Sequence, residues 1–493
     1  MMIFAQKTDR SFCVDMLKMQ KLYLQLYLLN LVLNACLFYN ANFPAIIQKG
    51  IGLSLMAGGS ILASTNVLEL LRKGGRIKVA FFSLGGLLAA MLLSGLANIQ
   101  YGIVGTAKIA VWSFILFFMV FPYSFHIKKE ARLKELGEIV LPALIVWGLL
   151  EIVAIFQFLF QITYFVKLPQ YRAAKAQGVY YNRVFGIFVD APMAASLSWS
   201  FLLFGLLLHS GFPEPYKVFA KISILLNGIY IVLSGSRASY VAVIVGATVY
   251  AFVYFMQKPL KGHPACACLA AVFCASSLVT GSVSVTKAVM VQAARTVNYI
   301  MTVAEDSAEN NTGNHLLSDR TSGHEISLER TDLEGKPDIT NLRTQIWEDS
   351  LKAYRDRPLL GVSIDGFLPY MDENYPDGFI AREHFDVGNG YLALLVYGGT
   401  VTFLAGLVFI IIQLFYLIPC FWKYLITSGD GIPLLPLFAV VSSTAVVAMI
   451  NMDIFYINWA NAMLFWLSLG TLNAWYLEYK LSQEYEWKEM NGL

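Results

Sequence analysis

The feature that most constrains this chain is its succession of long apolar runs separated by short polar connections. A soluble domain carries about a quarter charged residues, whereas this chain of 493 residues is 14% charged and 57% hydrophobic. No single soluble core can bury that much apolar sequence, and a helix needs about 20 apolar residues to cross a bilayer. The sequence therefore predicts an all-α, polytopic integral membrane protein.

The lengths of the apolar runs predict about twelve membrane spans. We place them near 22–41, 44–70, 78–98, 103–125, 139–166, 190–209, 217–234, 238–256, 264–283, 391–418, 432–451 and 455–476. The chain then consists of an N-terminal arm (1–21), nine spans (22–283), one large loop (284–388), three spans (389–476) and a tail (477–493). A polar arm precedes the first run, which we interpret as a retained anchor.

Lysine and arginine in short connections predict the orientation, because cytoplasmic loops are enriched in them. The N-terminal arm, the connections after spans two, four, eight and ten, and the tail carry these residues and fall on one side. Both termini are therefore predicted to be cytoplasmic and 284–388 extracytoplasmic. The second outer loop departs from the rule with Lys167, Arg172, Lys175 and Arg183, which indicates an anionic ligand. The net charge of +3 gives no indication of nucleic-acid binding.

The six cysteines predict neither disulfides nor a metal site. The large loop has none, and Cys266 and Cys268 have only His263 close by, which leaves too few ligands to complete a site. Within the loop we expect an amphipathic surface helix at 285–301, an irregular polar stretch at 305–340, and a helix at 341–354 that Pro358 and Gly361 end.

Three arginines are candidates for binding an anion at the outer surface. Arg237 lies in the turn between spans seven and eight, Arg183 just before span six, and Arg343 at the start of the loop helix. Each has a plain alternative: Arg237 extends to water or lipid phosphate, Arg183 is a loop cation, and Arg343 pairs with a neighbouring acid.

A titratable group follows at the end of the large loop. His384 stands between Glu383 and Asp386 close to the membrane boundary, and imidazole can accept a proton near neutral pH. A carboxylate could do the same. Glu151 within span five is a functional candidate by its position, although a structural hydrogen bond is the interpretation that we favour.

Four segments of the chain together resemble the O-antigen ligase and polymerase superfamily of bacterial polysaccharide assembly. They are Asn182-Arg183-Val184-Phe185-Gly186-Ile187-Phe188 with Pro192, Ser234-Gly235-Ser236-Arg237-Ala238, the block from Arg343 and Trp347 through Arg357-Pro358-Leu359-Leu360-Gly361 to Phe367, and Asn389-Gly390-Tyr391-Leu392 to Gly399. The likeness runs from about 180 to 420. The family's histidine and serine around the asparagine are Gly388 and Gly390 here, and His384 lies four residues earlier.

The resemblance implies a membrane glycosyltransferase acting on a polyprenyl-pyrophosphate-linked oligosaccharide, and attack opposite the leaving group would invert the anomeric carbon. The sequence shows no metal cluster with ligand spacing, so we expect metal independence, and we predict no cofactor. Such an enzyme would make O-antigen, capsule or exopolysaccharide from this donor and an acceptor glycan. It would lie in the bacterial cytoplasmic membrane in contact with membrane lipid, and a flippase and a chain-length regulator of the same pathway would be its partners. Arg183, Arg237 and Arg343 would bind pyrophosphate. His384 is the first candidate for the general base, followed by Glu383 and Asp386, and the glycan would be bound by Asn389, Tyr391 and Trp347.

Other functions share parts of this pattern. A ligase moves a finished glycan onto a lipid anchor, whereas a polymerase joins repeat units; the altered histidine motif favours a polymerase. A precursor transporter would place charged groups near the membrane midplane. In this sequence the predicted midplane is nearly free of charge apart from Glu151. A sensor would not need arginines from separate segments to converge. Convergence of the arginines with His384 would therefore favour the enzyme.

Overall fold

The computed structural model describes residues 2–73, 78–167, 174–258, 260–312, 326–331, 342–429 and 431–490. Its α-helices are α1 Met2–Asn34, α2 Leu37–Asn42, α3 Ala45–Lys73, α4 Lys78–Ala97, α5 Val104–Ile115, α6 Lys129–Leu159, α7 Ala191–Gly211, α8 Tyr216–Leu233, α9 Arg237–Gln257, α10 Pro264–Thr312, α11 Arg343–Asp356, α12 Phe367–Asn374, α13 Phe379–Glu383, α14 Gly390–Phe421, α15 Leu435–Val447 and α16 Ala460–Met490. Wider π-type turns at Leu116–Val120 and Trp422–Thr427 extend α5 and α14. Much of the predicted irregular stretch 305–340, and Arg172, lie outside the described residues.

The predicted all-α membrane fold is confirmed at the level of fold class. Within the described ranges, nine helices are long and apolar enough to cross a membrane, and a tenth apolar helix, Ile432–Val447, is shorter. The first and last of the twelve predicted spans correspond to α1 and α16, which are not among the nine. The prediction of twelve spans therefore remains a prediction.

The first predicted span, 22–41, is interrupted. α1 ends at Asn34 and α2 begins at Leu37. The backbone between them pairs with the segment before α7: Leu37 N donates to Ile187 O at 2.7 Å, and Val189 N donates to Ala35 O at 2.9 Å. This pairing satisfies backbone groups that the break leaves without hydrogen-bond partners inside a helix.

The expected boundary at residue 284 falls inside one continuous helix. α10 runs from Pro264 to Thr312, so the helix predicted at 285–301 is present but continues the ninth predicted span instead of forming an element of its own. After Gly281 the sequence changes from apolar to mixed, and we interpreted this change as the end of a membrane span. No proline or glycine follows Gly281 before Thr312 to end the helix.

The second outer loop contains a small antiparallel sheet that the sequence did not predict. Its strands are β1 Thr163–Val166, β2 Lys175–Tyr180 and β3 Arg183–Gly186, in the order β1-β2-β3. Tyr181 and Asn182, with φ of 52° and 55°, form the two-residue turn between β2 and β3, as expected of a tight hairpin. Arg183 therefore follows directly from a rigid turn.

α7 lies at the centre of the bundle. It contacts α6, α8, α9, α15 and α16, and its small residues are buried along with its apolar ones. Trp199 of α7 donates to Ser443 Oγ at 3.0 Å, while a Cβ added at Gly246 would approach Trp199 to 2.3 Å. Glycine in α9 therefore allows the two helices to pack closely.

The large loop inserts into a break in α14. The helix is interrupted at Gly399, which has φ of 69°. Loop residues 358–363 satisfy the backbone groups that this break releases. The hydrogen bonds are Val362 N to Val396 O at 3.0 Å, Ser363 N to Tyr397 O at 2.9 Å, Thr400 N to Pro358 O at 2.8 Å and Val401 N to Leu359 O at 3.2 Å.

The same loop also caps α5. Asp365 accepts hydrogen bonds from Gly105 N at 2.8 Å and Thr106 N at 2.7 Å. The residue before α5, Ile103, has no side-chain oxygen for this purpose, so the loop supplies a cap that the helix lacks. The loop is thus attached to two membrane helices on the side of the predicted site.

Candidate active site

The turn before α9 places the first arginine. Gly235 adopts φ of 59°, and Ser236 caps α9 by accepting a hydrogen bond from Ser239 N at 3.3 Å. Arg237 is the first residue of the helix and is half-buried. The N-terminus of a helix already favours anions, and Arg237 adds a full positive charge there.

Arg183 joins the sheet to this turn. Its Nε donates to Ser234 O at 3.0 Å, and its guanidinium lies 5.0 Å from the centre of the Phe185 ring. Only 7% of the residue is exposed, so the alternative of a solvated loop cation is wrong.

Arg343 reaches the same region from α11. Its Nε donates to Ile450 O at 2.8 Å and its Nη2 to Asn451 Oδ1 at 2.9 Å. Burial lowers the pKa of Arg343, Arg237 lowers that pKa further, and Asp190 opposes the decrease. Its hydrogen bonds fix it to the segment between α15 and α16 rather than to Glu348 or Asp349.

The three predicted arginines therefore converge. Arg183 contacts Ser234, three residues from Arg237, and Arg237 lies within electrostatic range of Arg343. They come from β3, α9 and α11, which are far apart in sequence. Arg237 and Arg343 repel each other, and an anionic ligand between them would offset that electrostatic cost.

A carboxylate beside the arginines was not identified from the sequence. Asp190 caps α7 through its Oδ1, which accepts from Met193 N at 2.9 Å. It influences the pKa of Arg343 and also those of Asp386 and Asp453. Its place in Val189-Asp190-Ala191-Pro192, before a helix with proline near its start, was the available signal.

Asp386 belongs to this neighbourhood. Desolvation raises the pKa of Asp386, the Gly388 N–H opposes the rise, and Asp190 adds to it. The residue as a whole is exposed, while neighbouring protein atoms desolvate its carboxyl. A carboxylate with a raised pKa on an exposed residue is suited to accept a proton.

Asp453 is a second acid that sequence reasoning missed. It is 2% exposed, and its Oδ2 has no hydrogen-bond partner within the described part of the chain. Burial raises the pKa of Asp453 to about 7; Asn451 opposes the rise and Asp190 adds to it. Asp190 and Asp453 line one small cavity. An acid between two apolar runs was the available signal.

His384 and Glu383 have a different setting. His384 ends α13 with φ of 55°, and its Nε2 lies 3.6 Å from Asp372 Oδ1. Glu383 is exposed. The contact described for His384 is thus with a carboxylate of the loop, whereas Asp386 is linked electrostatically to Asp190.

The residues expected to bind glycan mostly hold α14 in place. Asn389 caps α14 and donates to Met449 O at 2.6 Å, and the Tyr391 hydroxyl donates to Ala445 O at 3.0 Å. Trp347 is half-buried, and its indole N–H has no hydrogen-bond partner in the described ranges. Their role in glycan binding stays a prediction.

Glu151 has structural partners. It is fully buried in α6, where its Oε1 accepts hydrogen bonds from Trp147 Nε1 at 3.1 Å and Ser198 Oγ at 2.7 Å. This agrees with the favoured interpretation of a hydrogen bond within the bundle. Among the described residues, no three or more His, Cys, Asp or Glu side chains are grouped so as to hold a metal ion.

The fold and site define a multi-pass helical membrane protein with an arginine-rich, carboxylate-flanked site where its connecting segments meet. Residues 222–407 match the model of the O-antigen ligase family. The resemblance to the O-antigen ligase and polymerase superfamily is thereby confirmed, and an activity of the ligase or polymerase type on lipid-linked glycans is supported. No curated protein matches the chain.

The matched range contains two of the three arginines. Arg237 and Arg343 lie within 222–407, as do the three candidate bases, whereas Arg183, Asp190 and Asp453 lie outside it. Structure rather than the family match therefore connects these last three residues to the site.

Proposed function

We propose that this protein is a membrane glycosyltransferase that joins polyprenyl-pyrophosphate-linked oligosaccharide units into cell-surface polysaccharide. It acts at the outer face of the bacterial cytoplasmic membrane, with both termini cytoplasmic and twelve spans. The observation that carries this proposal is the convergence of Arg183, Arg237 and Arg343 from three separate elements.

The arginines would bind the pyrophosphate of the donor. Guanidinium groups remain charged and match phosphate oxygens with paired N–H donors. As the bond between the anomeric carbon and the phosphate oxygen breaks, the leaving polyprenyl pyrophosphate gains negative charge. Positive groups fixed in advance around that charge lower the barrier.

We assign the general base to Asp386 in preference to His384. The acceptor hydroxyl oxygen attacks the anomeric carbon, its proton passes to the Asp386 carboxylate, and the pyrophosphate leaves with the electron pair of the broken bond. Attack opposite the leaving group inverts the configuration. The proximity of Asp386 to Asp190, itself near Arg343, supports this assignment.

Within this class we favour a polymerase over a ligase. Gly388 and Gly390 replace the histidine and serine of the family pattern, and we take this departure as a mark of a specialised member. No step of the proposed reaction requires a metal ion, so we propose metal independence. A flippase and a chain-length regulator would be its partners in the same pathway.

The test is the size distribution of surface polysaccharide in a deletion strain. Wild-type protein should restore long chains, whereas Arg237→Ala should leave single repeat units on the lipid carrier, because one stabilising cation is lost. Arg355→Ala is the matched control, since this exposed arginine in the last turn of α11 lies outside the arginine cluster. Both variants must be present in the membrane at wild-type abundance.

Each outcome separates the functions. Long chains with Arg237→Ala would refute the pyrophosphate role. Full-length polymer stranded on the carrier in the deletion strain would identify a ligase. An unchanged profile with and without the wild-type gene would refute both enzymatic functions.

A further inference from the structure

A short segment of the large loop, 326–331, lies across the site, and we call it the strap. Two basic residues of α10 hold it: Lys287 donates to Leu328 O at 3.3 Å, and Arg295 donates to Ile326 O at 3.4 Å. Leu328 is 4% exposed and packs into the core. The strap is therefore fixed to the protein surface by polar and apolar contacts.

The strap also contacts the two turns that place Arg183 and Arg237. Asn182 of the β2–β3 turn donates to Glu329 O at 2.9 Å. Arg330 donates to Gly235 O, in the turn before α9, at 3.3 Å. Arg330 is half-buried at this position. The strap thus brings a fourth arginine to the turn that connects Arg183 with Arg237.

Gly235 allows this approach. A Cβ added there would lie 3.5 Å from Arg330 Cδ and 3.6 Å from Arg183 Cβ. The two arginines therefore flank one glycine whose backbone has positive φ. Aligned peptide N–H groups at the start of α9 add partial positive charge beside them.

The charge of the donor explains why a fourth cation is useful. A pyrophosphate diester carries two negative charges and gains a third when its sugar leaves. Arg183 and Arg343 each bond to backbone carbonyls that fix their orientation. A guanidinium has five N–H donors, so the bond from Arg330 to Gly235 O can orient it while it binds a phosphate oxygen.

We propose that Arg330 is a further pyrophosphate-binding residue, delivered to the site by the strap. This inference rests on the proposed function, because it assigns a ligand to the same arginine cluster. It adds a residue from a part of the loop outside all four family-like segments.

Binding of inorganic pyrophosphate to the purified full-length protein tests the inference. The readout is the Kd obtained from the rise of thermal stability with ligand concentration, since a ligand at free concentration c that binds only the native state stabilises it by RT ln(1 + c/Kd). Loss of one charged hydrogen-bonding group should weaken binding by about 10-fold. Arg330→Ala should show that loss, and Arg330→Lys should recover part of the affinity.

Arg355→Ala is the matched control, because it removes an exposed arginine in the last turn of α11 for which no contact with the strap is described. Wild-type affinity in Arg355→Ala with weakened binding in Arg330→Ala supports the inference. Equal affinity in Arg330→Ala and wild type overturns it. If Arg237→Ala weakens binding while Arg330→Ala does not, the proposed function stands and only the role of Arg330 fails; if the wild type binds no pyrophosphate, both fail.

Discussion

Asp386 is the residue at which the chemistry can be tested most directly. Its folded-state pKa is raised above the ordinary 3.8 by desolvation. A general base works only when ionised, so activity should be lost as the pH falls through this raised pKa, at a higher pH than for an ordinary aspartate. Asp386→Asn should lower turnover by about 100-fold or more, and Asp386→Glu should retain a pH-dependent activity.

His384→Ala is the matching variant, and rates across pH in reconstituted vesicles decide between the two. Inactivity of His384→Ala, together with near-wild-type activity of Asp386→Asn, would transfer the role to the histidine. The raised pKa also means that the folded state favours protonated Asp386, so ionisation opposes folding as the pH rises. Asp386→Asn should therefore fold at neutral pH, and its loss of activity would not reflect unfolding.

Sequence reasoning found the arginines of the site more easily than its acids. Arg183, Arg237 and Arg343 stand in recognisable segments, and a cation at a membrane surface is conspicuous. Asp190 resembles an ordinary helix cap in sequence, and its electrostatic link to Arg343 joins residues that are far apart in the chain. Arg330 lies in a polar stretch whose path over Gly235 no local pattern encodes.

At the scale of elements, Gly399 should be indispensable to the break in α14. An added Cβ would lie 2.2 Å from Leu359 O, in a backbone conformation with positive φ. This conformation, with φ of 69° and ψ of −174°, costs a non-glycine residue about 1–3 kcal/mol, and the clash would displace the loop. Gly399→Ala should therefore lower the thermal unfolding temperature of the purified protein by several degrees.

Gly281→Ala provides the comparison for that measurement. Gly281 lies inside α10, and an added Cβ there would meet nothing within 4 Å. Alanine favours helices over glycine by about 1 kcal/mol, so this variant should be unchanged or slightly more stable. Equal unfolding temperatures for Gly399→Ala and wild type would show that loop insertion contributes little stability.

The elements themselves were predictable to different degrees. Long apolar helices such as α7 follow from length and hydropathy alone. The hairpin at 175–186 was missed because Lys175, Gln177 and Gly178 dilute its alternation. α10 was divided wrongly because a change of environment along a helix resembles a change of structure.

For the whole molecule, the decisive question is which side of the membrane carries the site. We expect Asp377→Cys, at an exposed position of the loop, to react with a membrane-impermeant maleimide in intact spheroplasts. Lys134→Cys, where the lysine side chain is 70% exposed, should react only after permeabilisation. The six native cysteines are first replaced by serine or alanine in both proteins.

The reverse labelling pattern would put the arginines on the cytoplasmic face and contradict action on an exported donor. Basic residues alone predict this orientation. The structure adds that connections on the predicted outer side contact one another, as at 35–37 with 187–189 and at 361–365 with 98–106.

The break at Gly399 also determines how this protein can be recombined with its relatives. A chimera cut at the apparent membrane boundary near residue 389 would separate 358–363 from its hydrogen-bond partners in 396–401. The backbones of the two parent proteins would then have to match at every one of those hydrogen bonds. A transplant of the large loop should therefore carry 358–401 as a single block, so that loop and helix are inherited together.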